Sequence, residues 1–554
     1  MINGYGMKLL DGNGRGHLPG EADPGTTIFD PTVRAEVRRR RTFAIISHPD
    51  AGKTTLTEKL LLYAGCLDVA GMVRGRRNQR AVTSDWMALE RQRGISITST
   101  ALSVDYQGVR VNLLDTPGHE DFSEDTYRTL MAADSAVMVL DATKGVEPQT
   151  EKLFQVCARR GIPILTFVNK LDRPGSDPLG ILSEIERVLG IAASPLNWPV
   201  GLGRDFRGLC HRETREVTLF DPAARGSLVV PTTTCRLDDP DDDRLSPSDR
   251  DQLQGDLDLL DVAGAPFDHD RFLQGQVTPV FFGSALTNYG VEAFFDAFLK
   301  LGPPPGSRRA EHGPVPADRA EFAGFIFKLQ ANMDPKHRDR VAFLRVCSGR
   351  FERDMEVTNA RTGTKLRLAR SHRLFAQGRE TTDEAFPGDV VGLNSTGDLR
   401  LGDTLYAGPP IRYEPLPEFP PECFARLDCA DTGRRKQFDR GLFQLVEEGA
   451  VRVLVSTRPG VRELYLAAVG TLQFDVVQAR LESEYGVPTR LVPMEPKLAR
   501  RVGGDAAALK SLWLPRASIP TSDRDGLPVI LFSTSFELES CRKNNPELHF
   551  EPLS

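Results

Sequence analysis

Residues 47–54 read Ser-His-Pro-Asp-Ala-Gly-Lys-Thr and lie between an apolar segment and a helical pattern. This order of strand, loop and helix is that of a phosphate-binding loop, although Ser47 stands where the pattern has its first glycine. Backbone N–H groups and the helix N-terminus of such a loop bind phosphate, and the Lys-Thr pair supplies a charge and an Mg²⁺ ligand. The predicted phosphate-binding residues are Ser47, His48, Pro49, Asp50, Ala51, Gly52, Lys53, Thr54 and Thr55, together with Gly118.

Around this loop, short apolar runs alternate with longer helical patterns. The predicted strands are Phe43–Ile46, Ala101–Tyr106, Val109–Leu114, Ser135–Leu140, Ile162–Val168 and Pro279–Phe282. Helical patterns such as Lys53–Ala64 and Gln149–Arg159 follow most of these strands. Such alternation is typical of a doubly wound, mainly parallel sheet with helices on both faces.

The stretch Asp115-Thr116-Pro117-Gly118-His119 ends one of these strands. A carboxylate at the carboxyl end of a strand, facing the phosphate loop, is the position of an Mg²⁺ ligand in P-loop enzymes, although an aspartate there is also a common helix cap. Gly118 has no side chain to block its N–H from a γ-phosphate, so it can distinguish GTP from GDP.

Two tetrapeptides at other strand ends predict a guanine site. Asp172 of Asn169-Lys170-Leu171-Asp172 can accept from the ring N–H and the exocyclic amine of guanine, a pair of donors that adenine lacks. Backbone N–H groups of Gly283-Ser284-Ala285-Leu286 can face guanine O6. Each tetrapeptide alone also fits an ordinary turn, but the motifs occur together in the order typical of a GTPase. The predicted guanine-binding residues are Asn169, Lys170, Asp172, Ser284, Ala285 and Leu286.

Composition and proline-rich linkers divide the chain. We predict a flexible leader at residues 1–32, a GTP-binding domain at 33–302 with an insertion at about 195–275, a β-barrel domain at 318–408 and an α+β domain at 422–554. The predicted fold class is therefore multidomain α/β: a P-loop GTPase domain with a doubly wound, mainly parallel sheet, then a β-barrel domain, then an α+β domain.

The overall composition bounds the function classes. The chain has 554 residues and a net charge of −6, which argues against binding nucleic acid through overall charge but leaves local basic patches open. The eight cysteines form no C-x-x-C pair, so neither a zinc site nor a disulfide framework is indicated. No apolar run reaches the roughly 18 residues that span a bilayer. We expect a cytoplasmic protein with reduced thiols and no membrane partner.

Taken together, the motifs Arg-Gly-Ile-Ser-Ile at 93–97, Asp-Thr-Pro-Gly-His and Asn-Lys-x-Asp resemble those of the translational GTPases, which include elongation factor G. Within that family the chain is most similar to the bacterial class-II release factors. Three stretches carry this resemblance: residues 41–60, 328–346 and 469–485. It extends over about residues 41–500, and the leader is not matched.

The resemblance implies roles for two residues beyond the phosphate loop. His119 matches the family's catalytic histidine, which orients the attacking water once the ribosome positions it. Ser96 matches the Mg²⁺-ligating threonine of a switch segment, although this segment also fits the start of the next strand. The implied metal ligands are Thr54, Ser96 and Asp115.

The resemblance also implies an activity: a ribosome-stimulated GTPase that uses GTP, GDP and Mg²⁺. We expect a monomer that binds RNA and proteins of both ribosomal subunits and promotes the release of class-I release factors, with no DNA or membrane partner. The chain ends near where the tRNA-mimicking domain of elongation factor G would begin, so we expect binding and switching without movement of tRNA. Two alternatives stay open: another translocase-like ribosomal GTPase, and a nucleotide-gated ribosome-binding factor with incidental turnover.

Overall fold

The computed structural model describes residues 29–64, 67–69, 72–73, 100–119, 121, 123–175, 177–221, 230–239, 242–331, 340–369, 371–375, 378–395, 399–417, 419–458, 460 and 463–553. The first helix, α1, spans Pro31–Arg38, and the carboxylate of Asp30 caps it by accepting from the N–H groups of Thr32 and Val33. The predicted leader therefore overlaps this helix, because Asp30 is its cap and Pro31 and Thr32 are its first residues. Residues 1–28 lie outside the described part.

The first domain contains eight described helices and thirteen described strands. Helices α2–α8 are Lys53–Tyr63, Ser123–Leu130, Pro148–Arg160, Pro178–Leu189, Pro247–Ala263, His269–Leu273 and Val291–Leu301. Strands β1–β13 are Arg40–Ser47, Leu67–Val69, Met72–Val73, Thr100–Tyr106, Val109–Asp115, Ser135–Asp141, Ile164–Asn169, Ala192–Pro195, Asn197–Val200, Gly208–His211, Glu216–Phe220, Thr232–Arg236 and Val277–Phe282.

Seven strands form the central sheet in the order β4-β5-β1-β6-β7-β13-β8. Its pairings are parallel except that between β4 and β5, so the mainly parallel sheet predicted from the sequence is confirmed. The edge strand β8 was not predicted. It reads Ala-Ala-Ser-Pro and contains none of the β-branched or aromatic residues that mark a strand in a sequence.

Both faces of this sheet are buried. Along β1, Ala44 and Ile46 join a core that includes Leu153 of α4, whereas Phe43 and Ile45 join a core that includes Leu56 of α2. Successive side chains of a strand point to opposite faces, so an unbroken apolar run requires cover on each side. The helices supply that cover and leave the carboxyl ends of β1, β5, β6 and β7 at one edge of the sheet.

The region predicted as an insertion contains its own small sheet. Strands β9–β12 form a four-stranded antiparallel sheet in the order β12-β11-β10-β9. Helix α6 follows it and begins at a Ser246 cap, whose hydroxyl accepts from the N–H of Asp249. The chain then returns to the central sheet through β13.

The second domain is an antiparallel barrel domain. A small hairpin, β14 and β15 (Arg308–Ala310 and Gly313–Val315), precedes it. Strands β16–β25 are Ala323–Ala331, Arg340–Ser348, Phe351–Glu352, Glu356–Asn359, Lys365–Arg367, Ser371–Phe375, Gly378–Thr381, Glu384–Ala385, Val390–Ser395 and Thr404–Tyr406. Eight of them form one sheet in the order β20-β19-β25-β16-β17-β24-β21-β22. Its core includes Ile326, Leu344 and Val391.

A buried ion pair fixes the barrel to the strand that carries the phosphate loop. Arg40 Nη2 lies 2.9 Å from Asp389 Oδ2, and both side chains are almost fully buried. Burial alone would raise the pKa of Asp389, but the charge and hydrogen bond of Arg40 outweigh it and hold that pKa below its ordinary value. The hydroxyl of Thr42 also donates to the carbonyl of Gly388 at 2.8 Å, so the start of β1 is anchored at this interface.

The third domain is α+β and is built on one continuous sheet. Helices α9–α12 are Arg435–Glu447, Leu472–Tyr485, Ala506–Lys510 and Ser535–Asn544. Strands β26–β33 are Cys423–Cys429, Arg452–Ser456, Leu464–Ala468, Thr489–Pro493, Leu498–Gly503, Ile519–Ser522, Pro528–Phe532 and His549–Pro552. The strand order is β29-β26-β28-β27-β31-β32-β30-β33. Helices α9 and α10 pack on the first half, where Phe438 and Leu481 share a core with Leu466.

Candidate active site

The phosphate loop joins β1 to α2. Gly52 precedes the helix with a φ of 97°, a left-handed conformation that only glycine adopts readily. The hydroxyl of Thr150 accepts from the N–H of His48 at 3.1 Å and fixes the loop from α4. Lys53 is only 6% exposed, so its charge lies inside the domain at the start of α2.

Ser47, the residue that departs from the glycine pattern, fits without strain. Its backbone does not have a positive φ, so glycine is not required at this position. The side chain is fully buried, and its hydroxyl donates to the carbonyl of His48 at 2.9 Å. The loop therefore tolerates serine because the hydroxyl bonds within the loop itself.

Asp115 and Gly118 lie beside this loop. Asp115 is opposite Ile45 in the register of β5 and β1 and is 1% exposed. The hydroxyl of Thr116 donates to the carbonyl of Ile45 at 2.5 Å and holds the end of β5. A Cβ on Gly118 would lie 3.2 Å from Lys53 Nζ, so Gly118 packs directly against the phosphate loop.

His119 lies where β5 leads towards α3. Its side chain is 35% exposed, and Nδ1 accepts from the N–H of Asp121 at 3.3 Å. With Nδ1 as the acceptor, the neutral ring carries its proton on Nε2. The imidazole is therefore held on its Nδ1 side by a neighbour in the chain, and Asp121 Oδ1 lies 3.5 Å from the same nitrogen.

Asn169 connects the phosphate loop to the loop after β13. Its Nδ2 donates to the carbonyl of Ala51 at 2.8 Å, and its Oδ1 accepts from the N–H of Ala285 at 2.8 Å. The side chain is 2% exposed. Asn169 therefore ties the phosphate loop to the loop after β13.

Lys170 and Asp141 form an ion pair that sequence reasoning missed. Lys170 Nζ lies 2.7 Å from Asp141 Oδ2 and donates to the carbonyl of Asp50 at 2.5 Å. Burial raises the pKa of Asp141, but hydrogen bonds from Lys170 and Thr143 outweigh it and hold that pKa below its ordinary value. The available signal was that Asp141 ends β6, the strand between the two motif-bearing strands β1 and β7.

Asp172 and Ser284 also contact each other. The hydroxyl of Ser284 donates to Asp172 Oδ1 at 2.6 Å. The N–H of Ser284 donates to the carbonyl of Tyr289 at 2.9 Å. Two of the N–H groups expected to face guanine O6, those of Ser284 and Ala285, thus have protein acceptors. The side chain of Leu286 is 57% exposed.

Ser96 and the whole predicted switch segment lie outside the described residues. Within the part of the chain that the structure describes, no group of three or more His, Cys, Asp or Glu residues could hold a metal ion. The described cysteines are free thiols. None of the helices in the described ranges is long and apolar enough to cross a membrane.

Comparison with known proteins identifies the class of protein to which this chain belongs. Residues 38–304 match the family model of the elongation factor Tu GTP binding domain, and residues 321–408 match elongation factor G domain 2. A crystal structure of a Thermus thermophilus protein has the same fold, with a TM-score of 0.67 over 84% of this chain and 68% of that chain, at 24% identity. This is a guanine-nucleotide-binding protein of the translational GTPase class.

The remaining matches narrow this class to one family. Residues 413–542 match the C-terminal domain of the class II release factor RF3. Peptide chain release factor 3 of Gloeobacter violaceus is 53% identical over 95% of this chain and 100% of its own length. That of Gloeothece citriformis is 51% identical over 96% of this chain and 98% of its own. The chain belongs to the peptide chain release factor 3 family.

Proposed function

We propose that this chain is a ribosome-stimulated GTPase of translation termination that promotes the release and recycling of class-I release factors after the peptide has left. The observation that carries the proposal is the contact of the family-defining third domain with α3. Tyr127 of that helix stacks on Phe419, with ring centroids 4.4 Å apart, and Arg128 donates to the carbonyl of Gly449 at 3.4 Å.

This contact supports nucleotide control of ribosome binding. Helix α3 follows the loop that carries Gly118 and His119, so a γ-phosphate bonded to the Gly118 N–H can alter the position of the third domain. A nucleotide shifts an equilibrium only by its differential affinity for two states. In the proposal, the GTP form favours a ribosome conformation that expels the class-I factor, and hydrolysis then releases this protein.

The proposed nucleotide contacts use groups of the phosphate loop and of the guanine loop. The phosphates lie against the loop from Ser47 to Thr55, where Lys53 supplies charge and Gly118 contacts the γ-phosphate. The guanine base lies against Asp172, which Ser284 orients. Lys170 covers the base and is held in place by Asp141.

The residues present fit an Mg²⁺ ion. Asp115 provides a buried carboxylate at the end of β5, and Thr54 provides a hydroxyl at the start of α2; both are the hard oxygen donors that Mg²⁺ prefers. Ser96 is proposed as a further ligand. Bound there, Mg²⁺ would neutralise negative charge on the phosphates.

His119 is proposed to orient the attacking water once the ribosome has brought its imidazole ring into position. Phosphoryl transfer depends on positioning and charge stabilisation rather than on covalent chemistry by the protein. In the free protein Nδ1 of His119 is engaged by Asp121, so we expect slow hydrolysis. Ribosome binding would reposition the ring and accelerate the reaction.

The decisive experiment measures release of a labelled class-I factor from termination complexes whose peptide has already been hydrolysed. We expect GTP and a non-hydrolysable analogue each to support one round of release, and only GTP to support repeated rounds. Binding of the chain without release of the class-I factor would indicate a nucleotide-gated binding factor. Movement of tRNA in elongation complexes would indicate a translocase-like GTPase. Either result would refute the proposal.

A further inference from the structure

Asp121 contacts both the histidine of the site and the third domain. Its N–H donates to His119 Nδ1 at 3.3 Å, and its Oδ1 lies 3.5 Å from that nitrogen. Its other carboxylate oxygen, Oδ2, accepts from the N–H of Leu472 at 2.6 Å. The backbone N–H of Asp121 therefore holds the histidine, while its carboxylate holds a helix that lies far along the chain.

The third domain is shaped to receive this carboxylate. A Cβ on Gly470 would lie 2.1 Å from the carboxylate carbon of Asp121. Gly470 does not have a positive φ, so the requirement for glycine here is one of space and not of backbone conformation. The N–H of Gly470 donates to Gln473 Oε1 at 3.1 Å, which holds the turn against the carboxylate.

The receiving element is a rigid part of the third domain. Leu472 is the first residue of α10, a helix of 14 residues, and a carboxylate at a helix N-terminus is stabilised by the unpaired N–H groups there. Phe474 and Leu481 of α10 are buried in the core that α10 shares with α9. Any displacement of the third domain would therefore carry Leu472 and Gly470 with it.

The two sides of His119 have different contacts. Gly118, just before it, packs on Lys53 and the phosphate loop, whereas Asp121, just after it, packs on Gly470 and Leu472. The Nδ1 side of the ring faces Asp121. The imidazole is thus held on the side of the third domain while that domain is docked.

We propose that Asp121 is a positioning residue that ties the imidazole of His119 to the third domain, so that undocking of this domain frees the ring to move towards the phosphates. The inference rests on the proposed function only for the catalytic role of His119. Coupling between the third domain and His119 requires a part of the protein with two positions that affect both. The docked and undocked positions of the third domain are the two states in this proposal.

Two substitutions test the link from opposite sides. Asp121→Ala removes the carboxylate that anchors this residue to the third domain but keeps the N–H that donates to His119 Nδ1. Gly470→Ala displaces the same carboxylate without a substitution in the first domain. Gly503→Ala is the matched control, because a Cβ there meets nothing within 4 Å and the residue lies in the same domain.

The first readout is ribosome-free, single-turnover GTP hydrolysis. We expect Asp121→Ala and Gly470→Ala each to raise the rate by about threefold or more, well below the roughly 10²-fold effect of a fully positioned group. The double variant should match Asp121→Ala alone, because a Cβ at residue 470 has nothing to displace once the carboxylate is gone. GTP affinity should stay within about twofold, which also shows that each variant is folded.

The second readout does not depend on catalysis. In protein with ¹⁵N-labelled histidine, the His119 ring signals are assigned by their loss in His119→Ala. We expect these signals to shift in Asp121→Ala and in Gly470→Ala but not in Gly503→Ala. Unmoved signals in Gly470→Ala, or an equal shift in Gly503→Ala, would overturn the inference. If His119→Ala retains ribosome-stimulated hydrolysis, the proposed catalytic role fails, and these signals still decide whether the link exists.

Discussion

The side-chain amide of Asn169 lies where a side chain on Gly52 would begin. A Cβ on Gly52 would be 2.2 Å from Asn169 Nδ2, the atom that also donates to the carbonyl of Ala51. This amide therefore joins the phosphate loop to the guanine loop, beside the bond from Lys170 Nζ to the carbonyl of Asp50. A change at either residue must disturb both halves of the nucleotide site.

Gly52→Ala should abolish tight nucleotide binding. The new methyl group would displace Asn169, and alanine at a φ of 97° is strained. We expect GTP affinity to fall by about 100-fold or more, which corresponds to roughly 2.7 kcal/mol. Titration with a fluorescent guanine nucleotide measures the loss. The matched control is Gly180→Ala in helix α5, where a Cβ meets nothing and affinity should not change. A Gly52→Ala protein that binds within threefold of the parent would contradict the proposed site.

Asp172→Asn should change base preference. The carboxylate accepts from Ser284, and its other oxygen is available to guanine donors. An amide presents a donor in place of one acceptor, so GTP should weaken and xanthosine triphosphate should bind better by comparison. Competition between the two nucleotides measures the preference. Asp177→Asn, an N-cap change that keeps the capping acceptor, is the control. Equal GTP affinity in parent and Asp172→Asn would show that Asp172 does not contact the base.

His119→Ala should separate binding from chemistry. We expect GTP and ribosome binding to persist while ribosome-stimulated turnover falls by about 10²-fold or more, the scale for one positioned group. The variant should expel a class-I factor once and then stay on the ribosome. Single-turnover hydrolysis beside nucleotide titration tests this, with the exposed His211→Ala as control. Stimulated turnover within a few-fold of the parent would remove His119 from the mechanism.

Low pH should destabilise the folded protein by protonating Asp141, which pairs with Lys170 of the guanine loop. The folded-state pKa of Asp141 lies below its unfolded value of about 3.9, so its stabilising contribution is complete above that pH and disappears as pH falls through the folded-state pKa. Asp141→Asn should therefore lower the melting temperature at pH 6, and the difference from the parent should shrink below about pH 4. Asp258→Asn, an exposed change, is the control. A difference that is constant with pH would refute this account.

The sequence predicted the fold class because each domain has its own pattern of apolar and polar residues. Strand–helix alternation marked the first domain, and the strand β1 observed at Arg40–Ser47 contains the predicted Phe43–Ile46. The edge strand β8 had no such signal, because it has four residues with no β-branched side chain. The predicted leader overlapped α1 by two residues, because Pro31 and Thr32 begin the helix before its first buried residue, Val33.

Site residues could be predicted from the sequence where they lie in a short motif. Their roles could not be predicted where those roles depend on contacts formed only in the folded protein. The motifs located Lys53, Asp115 and Asp172 in sequence. They could not show that Asn169 joins two loops, because Ala51 and Ala285 approach it only in the folded sheet. Ser96 lies outside the described residues, and its role stays a prediction.

The unbroken sheet of the third domain has a consequence for how the chain is made. Strand β27 pairs with β28 on one side and with β31, much later in the chain, on the other. A nascent chain that ends before Ile519 thus presents an open strand edge at Val455 and Ser456, and such edges template association between chains. Pairing with β31 covers this edge in the described sheet, so we expect chains truncated before Ile519 to associate more readily than the full chain.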